Sequence, residues 1–242
     1  MTVLLFDIDG TLVRTGGAGK AAMEEALRSA FGVRQIQDGV PYAGRTDRAI
    51  ARDLLRVHHI PPVEENITRL QRAYLDHLPR MLHQRGGTVC PGVVELLRTL
   101  STVEGMVLGL LTGNIREGAR CKLAHFGLWD YFVGGGFGDE HEDRDDVARA
   151  AVAALGLSPA LAADATRQVW VIGDTPLDIR CARAIGAHAV AVATGWHSPQ
   201  ELAAHRPDWL LPDLTCVETV LPYWCPQKPG LERPQNKRRA HG

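Results

Sequence analysis

The stretch VLLFDIDGT at residues 3–11 decides the fold class, because it joins a short apolar run directly to two carboxylates. Val3–Phe6 has the length and composition of a buried strand. Residues i and i+2 of an extended segment point the same way, so Asp7 and Asp9 are expected to face one site at the strand end. Gly10 then allows a turn and a close approach to a ligand, although a plain strand-to-loop turn has the same pattern.

Four more short apolar runs predict further strands, at Met106–Thr112, Tyr131–Gly134, Val169–Ile172 and Ala189–Val192. They alternate with segments of helical periodicity, which is typical of an α/β protein with a parallel sheet. We therefore predict a doubly wound, Rossmann-like parallel sheet with helices on both faces. In such sheets ligands bind outside the carboxyl ends of the strands.

Two of these strand ends carry oxygen chemistry of their own. The second predicted strand leads into Thr112, Gly113 and Asn114, a hydroxyl followed by backbone N–H groups that could hold a phosphate oxygen. The fourth leads into Asp174, with Asp178 one helical turn further on. Hard carboxylate ligands of this kind suit Mg²⁺. A plain turn could explain polar residues at one strand end, but it does not readily explain them at three.

The segment between the first two strands is expected to be helical, because apolar residues recur there at helical spacing. Thr46 followed by Asp47 predicts the start of one of its helices. Glycines at 16–19 and at 86–87 mark its two junctions, either as hinges of a mobile lid or as ordinary loops. The predicted domains are an α/β core (residues 1–14 and 89–226), an all-helical cap inserted after the first strand (15–88) and a disordered basic tail (227–242).

Composition narrows the class of protein. The 242 residues carry 27 Lys plus Arg against 28 Asp plus Glu, a balance that favours neither nucleic acid nor an anionic membrane as a partner. No apolar run approaches the ~20 residues of a membrane span, and no signal peptide is recognisable. Five cysteines without a CxxC pair are typical of free thiols, so we expect a cytoplasmic enzyme. The oligomeric state stays open.

Together the segments DIDGT (7–11), LTGN (111–114) and GDTPLD (173–178) resemble three motifs of the haloacid dehalogenase-like hydrolase superfamily. The resemblance covers residues 1 to about 215. The helical insertion lies between the first two motifs, as in the phosphoglycolate phosphatase-like branch. The resemblance implies a phosphatase that acts on a small phosphomonoester.

The resemblance also implies roles for the carboxylates. Asp7 would attack phosphorus and become phosphorylated, and Asp9 would act as general acid and then as general base. Mg²⁺ would be held by Asp7, by the backbone carbonyl of Asp9 and by Asp174, with Asp178 a ligand directly or through water.

The phosphoryl group would be bound by Thr112 and by the N–H groups of Gly113 and Asn114. The third motif of the family, normally a Lys, is absent from its usual place. Arg144 is the cation nearest that place and is favoured, and Lys122 on the helix after the second motif is the alternative.

Several questions stay open at the level of sequence. Arg45, in a loop that opens a helix of the insertion, either contacts the substrate or is a surface residue. A dehalogenase would need neither Asp9 nor the later carboxylates, and a phosphomutase of this superfamily usually has a histidine in the linker where this chain has glycines. A phosphate-binding regulatory module without turnover is the remaining alternative. Phosphoglycolate is the first substrate to consider, with sugar phosphates and nucleotides open.

Overall fold

The computed structural model of the protein, which describes residues 1–157 and 168–225, is built around a six-stranded parallel sheet. In chain order the strands are β1 (Thr2–Phe6), β2 (Val13–Arg14), β3 (Thr88–Val89), β4 (Met106–Leu111), β5 (Gly135–Gly136), β6 (Gln168–Gly173), β7 (His188–Val192) and β8 (Trp209–Leu211). The helices are α1 (Ala18–Phe31), α2 (Asp47–Val57), α3 (Glu64–Arg85), α4 (Val93–Leu100), α5 (Arg116–His125), α6 (Arg144–Ala154), α7 (Pro176–Ala184), α8 (Pro199–Ala204) and α9 (Leu221–Trp224). The sheet order is β5-β4-β1-β6-β7-β8, and all its neighbouring pairs are parallel.

Successive residues of β1 supply the two apolar layers that flank the sheet. Leu4 and Phe6 pack in a layer with α4, α5 and α9, whereas Val3 and Leu5 pack in a layer with α6, α7 and α8. Burial on both faces explains why β1 is a continuous apolar run without polar alternation. Helices on both faces of a parallel sheet confirm the predicted doubly wound α/β fold.

The strand register brings three strand ends together. Phe6 pairs with Leu110 of β4 on one side and with Ile172 of β6 on the other. The residues that follow these three positions therefore leave the sheet side by side. The chain also reverses its direction of winding at β1, which is where ligands bind in open sheets of this kind.

Helices α1–α3, here called the helical unit, lie between β2 and β3 and pack around an apolar cluster of their own. The short antiparallel pair β2–β3 joins the two connections, with Val13 opposite Val89. Glycine is required at the crossing, since a Cβ at Gly87 would lie 2.6 Å from the carbonyl oxygen of Arg14. The helix start at Thr46 is confirmed, because its hydroxyl accepts a hydrogen bond from Ala49 N. The boundaries of core and cap stay a prediction.

The strand predicted at Tyr131–Gly134 is wrong. Trp129–Tyr131 forms a 3₁₀ turn, and the strand is the following pair Gly135–Gly136. A Cβ at Gly135 would overlap the backbone of Leu110, so the strand forms where side chains are missing. Strands β2, β3 and β8 were not predicted, because runs of two or three residues show no periodicity. The basic tail predicted at 227–242 lies outside the described residues. Among the helices of the described part, none is long and apolar enough to cross a membrane.

Candidate active site

Asp7 lies at the carboxyl end of β1, where its N–H donates to Ile172 O at 2.9 Å. The side chain of Asp7 is buried, whereas that of Asp9 is 41% exposed. Gly10 follows with φ near +90°, and a Cβ there would overlap the carboxylate of Asp174. The Asp-x-Asp-Gly pattern thus places the buried carboxylate of Asp7 and the accessible carboxylate of Asp9 at the same strand end, beside the carboxylate of Asp174.

Three buried carboxylates form the centre of the site. Ligand oxygens of Asp7, Asp174 and Asp178 lie within 4.8 Å of one another. Thr11 Oγ1 donates to Asp174 Oδ1 at 3.0 Å. The N-terminal cap of α7 fixes Asp178, whose Oδ2 accepts hydrogen bonds from Thr175 N at 3.0 Å and from Thr175 Oγ1 at 2.6 Å. The structure therefore brings together the carboxylates predicted from two separate strand ends.

Asp7 and Asp174 are held in a state that favours a proton or a cation. The pKa of Asp7 is raised to about 7, mainly by burial and also by the charges of Asp178 and Asp9, against the lowering effect of Arg144. Burial also raises the pKa of Asp174 well above its usual range, with the charges of Asp178 and Asp7 adding to the effect. A divalent cation relieves such repulsion, and a donor set made of carboxylate oxygens fits a hard ion such as Mg²⁺.

Arg144, the first residue of α6, reaches this cluster from the side of β4. Its guanidinium donates to Asp178 Oδ1, to Asp7 Oδ1 at 3.4 Å and to the carbonyl oxygen of Leu111 at 3.4 Å. The side chain is 3% exposed, and the helix N-cap at Asp143 sets its position. A buried guanidinium between carboxylates can also bind an anion with a planar fork.

Lys122 lies in the same site but contacts a different carboxylate, that of Asp9. Its Nζ donates to Asp9 Oδ2 at 2.6 Å and to Asn114 Oδ1 at 2.6 Å. Asn114 Nδ2 donates in turn to Asp9 Oδ2 at 2.9 Å and to Thr112 Oγ1 at 2.8 Å. Burial lowers the pKa of Lys122, but the charges of Asp9 and Asp47 outweigh it, so the net shift is upward. The two cations that the sequence offered as alternatives are therefore both present.

The loop after β4 is packed closely against the helical unit. A Cβ at Gly113 would overlap the carbonyl of Arg45, so only glycine fits. Gly113 N has no hydrogen-bond partner among residues 1–157 and 168–225, whereas Asn114 N donates to Thr112 Oγ1 at 3.3 Å. Of the two N–H groups expected to bind phosphate, that of Gly113 is therefore available and that of Asn114 is engaged.

Only the backbone of Arg45 lies near the site. Its guanidinium donates to Asp53 Oδ2 at 2.7 Å and to Pro41 O at 3.3 Å, away from the three carboxylates. The side chain is 25% exposed. The structure thus does not bring this guanidinium to the other predicted residues, and substrate contact by Arg45 stays a prediction.

Asp47, interpreted from the sequence only as part of a helix start, joins the helical unit to the loop after β4. Its carboxylate accepts from Ile115 N at 2.9 Å, and its own N–H donates to Gly113 O at 2.7 Å. Burial raises its pKa to about 6, and Lys122 is the main group that opposes the shift. No local signal marks this role, since the partners are more than 60 residues away along the chain.

A second set of contacts connects α2 with the loop before α6. Thr46 Oγ1 donates to Glu142 O at 3.2 Å, and the guanidinium of Arg52 lies 2.7 Å from the Glu142 carboxylate. The helical unit therefore lies directly over the carboxyl ends of the central strands. These contacts hold the unit against the loop before α6.

Comparison with known proteins supplies the family. The model of the haloacid dehalogenase-like hydrolase family matches residues 4–183. The chain belongs to this family. The predictions of an enzyme, of this hydrolase family and of a similarity to phosphoglycolate phosphatases are confirmed. The matched range contains every site residue named above from Asp7 to Asp178.

The names of individual relatives agree with the assignment of the chain to this hydrolase family. A phosphoglycolate phosphatase of Synechococcus elongatus is 30% identical over 219 residues, which cover 87% of this chain and 92% of the relative. A probable phosphatase, IndB, of Dickeya dadantii is 28% identical over 209 residues, or 85% and 86% of the two chains. The structure of CbbY from Rhodobacter sphaeroides in complex with phosphate superposes with a TM-score of 0.70 at 21% identity, covering 89% and 96%. At that identity the likeness concerns the fold alone.

Proposed function

We propose that this hydrolase is a Mg²⁺-dependent phosphatase that cleaves a small phosphomonoester through a phosphoaspartyl intermediate on Asp7. One observation supports this proposal more strongly than the others do. Three buried carboxylates converge on one strand end, with Arg144 against one side of the cluster and Lys122 on the neighbouring Asp9. Carboxylates beside buried cations suit a centre that binds both a divalent metal ion and an anionic substrate.

The metal would be held by the carboxylates of Asp7, Asp174 and Asp178 and by the backbone carbonyl of Asp9. The convergence of the three carboxylates within 4.8 Å and the raised pKa of Asp7 support their part in this ligand set, whereas the Asp9 carbonyl is proposed from the resemblance to the family. When bound, the ion would offset the repulsion between the Asp7 carboxylate and the phosphate dianion. Asp178 is already engaged by Arg144 and Thr175, which agrees with ligation either directly or through water.

The chemistry would proceed in two displacements at phosphorus. A carboxylate oxygen of Asp7 forms a bond to phosphorus as the bond to the leaving oxygen breaks, and Asp9 gives that oxygen a proton. Asp9, now ionised, then removes a proton from a water molecule that attacks the phosphoryl group, which frees inorganic phosphate and restores Asp7. Lys122 and Asn114, both bonded to Asp9 Oδ2, orient this carboxyl group for both steps.

The transferring phosphoryl group would be held by the groups around Asp7. Arg144 lies 3.4 Å from Asp7 Oδ1, close enough to contact an oxygen of a phosphoryl group there. The free N–H of Gly113 and the hydroxyl of Thr112 lie on the neighbouring strand end, and Lys122 contacts Asp9, the group that would protonate the leaving oxygen. Positioning and charge stabilisation by such donors supply most of the catalysis in phosphoryl transfer.

The helical unit would serve as the cap predicted at residues 15–88. Its contacts through Asp47 and through Arg52 with Glu142 hold it over the site. A closed cap excludes bulk water while the ester is cleaved, and it must open to exchange substrate and product. The β2–β3 pair and the glycines beside it form the connection about which it would move.

Phosphoglycolate is the first substrate to test, because the relative from Synechococcus elongatus is a phosphoglycolate phosphatase. The test measures phosphate release from a panel of small phosphomonoesters with Mg²⁺ and with EDTA, for the parent and for Asp7→Asn. We expect turnover that is lost with EDTA and with Asp7→Asn but kept in Asp38→Asn, whose side chain is 93% exposed. Folded protein that releases no phosphate from any ester with Mg²⁺ would favour a phosphate-binding module instead.

A further inference from the structure

Asp47, the first residue of α2, contacts the peptide groups on both sides of Asn114. Its N–H donates to Gly113 O at 2.7 Å, and its carboxylate accepts from Ile115 N at 2.9 Å. Gly113 O belongs to the peptide group before Asn114, and Ile115 N belongs to the one after it. One residue of the helical unit therefore fixes both peptide groups that flank Asn114.

The side chain of Asn114 in turn orients the carboxylate of Asp9. Asn114 Nδ2 donates to Asp9 Oδ2 at 2.9 Å, and Lys122 Nζ donates to both Asn114 Oδ1 and Asp9 Oδ2 at 2.6 Å. The Asp9 side chain is 41% exposed, so it can turn away unless such donors hold it. A shift of the backbone at Asn114 would therefore move the donor that sets the direction of the Asp9 carboxylate.

Within the described part of the chain, the core holds the same two peptide groups with one hydrogen bond each. Gly138 N donates to Asn114 O at 2.8 Å, which fixes the peptide group after Asn114. Asn114 N donates to Thr112 Oγ1 at 3.3 Å, beyond the usual range of about 2.7–3.2 Å for such bonds. The peptide group before Asn114 thus depends mainly on the N–H of Asp47.

Glycines allow three backbone segments to meet at this point. A Cβ at Gly113 would overlap the carbonyl of Arg45, and a Cβ at Gly138 would overlap the carbonyl of Gly113. Packing this close transmits strain, so a displacement of the helical unit reaches the loop that carries Asn114.

We propose that Asp47 is a positioning residue for proton transfer to the leaving group, because it holds the backbone of Asn114 and thereby the direction of Asp9. The inference rests on the phosphatase function proposed above. It aligns the proton donor only while α2 is docked on the loop after β4. Loss of the contact would slow the protonation of the leaving oxygen and leave the nucleophile and the metal ligands in place, since general acid catalysis depends on geometry.

Three variants remove the contacts of Asp47 in steps. Asp47→Asn keeps the N–H and a side-chain oxygen that can accept from Ile115 N, whereas Asp47→Ala loses the side-chain acceptor. Asp47→Pro loses the backbone donor as well. Proline is compatible with the first position of a helix, and Thr46 before it is extended, with φ −80° and ψ 145°.

The assay compares kcat/KM on two esters, the alkyl phosphomonoester that the parent hydrolyses best and p-nitrophenyl phosphate, whose leaving group departs without a proton. Both values report the steps up to phosphorylation of Asp7, so the later role of Asp9 as a base does not enter. On the alkyl ester Asp47→Ala should lose about 10- to 100-fold, Asp47→Pro at least as much, and Asp47→Asn little. All three should stay close to the parent on p-nitrophenyl phosphate.

Asp139→Ala is the matched control. Its carboxylate accepts from Arg116 N at 2.9 Å, at the start of the same helix α5, but it contacts neither peptide group beside Asn114. This variant should keep the parent's ratio of kcat/KM on the two esters. The ratio is also unaffected by any unfolded fraction, because that fraction lowers both values equally.

The outcomes separate the inference from the function on which it rests. Equal losses on both esters, or full activity of Asp47→Pro on the alkyl ester, would overturn the positioning role while the phosphatase function stands. An Asp47→Asn variant as impaired as Asp47→Ala would also overturn it, because the charge and not the hydrogen bond would then matter. A parent that hydrolyses neither ester would remove the function and the inference together.

Discussion

Replacing Arg144 by methionine removes the guanidinium that lies between Asp7 and Asp178 and leaves the apolar part of the side chain in place. Arg144 is 3% exposed and its two carboxylate partners are 6% and 2% exposed, so water cannot take over its role. The variant retains the three mutually repelling carboxylates without their buried cation. We expect it to fold with a large loss of stability in the absence of divalent metal ions.

The magnitude follows from the burial of the pair. Removing one partner of a buried ion pair costs about 3–5 kcal/mol, because the remaining charge is uncompensated. For a protein of this size that loss lowers Tm by on the order of 6–20 °C. Mg²⁺ should restore part of the loss, since it neutralises the same carboxylates.

The assay is thermal and urea unfolding with EDTA and with Mg²⁺. Arg149→Met is the matched control, because Arg149 is on the same helix and pairs with Asp146 at 2.6 Å, but with both side chains more than half exposed. Such a surface pair contributes about 0–1 kcal/mol. If the two variants lose equal stability in EDTA, or if Mg²⁺ rescues neither, the electrostatic account of the cluster is refuted.

Two further predictions concern pH and the contact of the helical unit. The pKa of Asp7 is about 7 in the folded protein against 3.8 ordinarily, so the folded state holds the extra proton between these values and stability falls as pH rises through them. From pH 6 to pH 8, loss of the proton from Asp7 should lower the free energy of unfolding of the metal-free protein by about 1.4 kcal/mol, and Mg²⁺ should abolish this pH dependence. Equal stability at both pH values in EDTA would contradict the raised pKa. Asp47→Ala should lower the free energy of unfolding by about 1–3 kcal/mol and speed hydrogen exchange at the Ile115 amide, because that N–H loses its acceptor. Exposed Asp38→Ala is its control, and an Ile115 amide that stays protected in Asp47→Ala would exclude the contact.

Asp7, Asp9 and Asp174 could be predicted from the sequence as site carboxylates because they directly follow buried apolar strands. Strand ends meet at one edge of a parallel sheet, so Asp7, Asp9 and Asp174 needed no knowledge of distant contacts. Asp178 follows from helical spacing after Asp174. Residue type and position along the chain therefore sufficed for this part of the site.

The cations and the contacts of the helical unit could not be predicted in the same way. Arg144 and Lys122 are both buried beside carboxylates more than 100 residues away along the chain, and the sequence does not show which carboxylate each will meet. Arg45 pairs with Asp53 of the same helical unit, a local competitor for its charge. Asp47 has the pattern of an ordinary helix start, and only the packing of α2 on the loop after β4 gives it a partner.

Trapping of the phosphoenzyme tests the central claim most directly. Asp9→Ala keeps the nucleophile but removes both the acid that would protonate the leaving oxygen and the base that would activate water. With p-nitrophenyl phosphate, whose leaving group needs no proton, only the second step should be blocked, so the intermediate should accumulate when this ester and Mg²⁺ are added and the reaction is quenched in acid. Mass spectrometry of the digested protein should then find the phosphoryl group on the peptide that contains Asp7, and Asp7→Asn should carry none. Turnover by the parent with no acyl phosphate on that peptide, or with the label on another residue, would contradict the account.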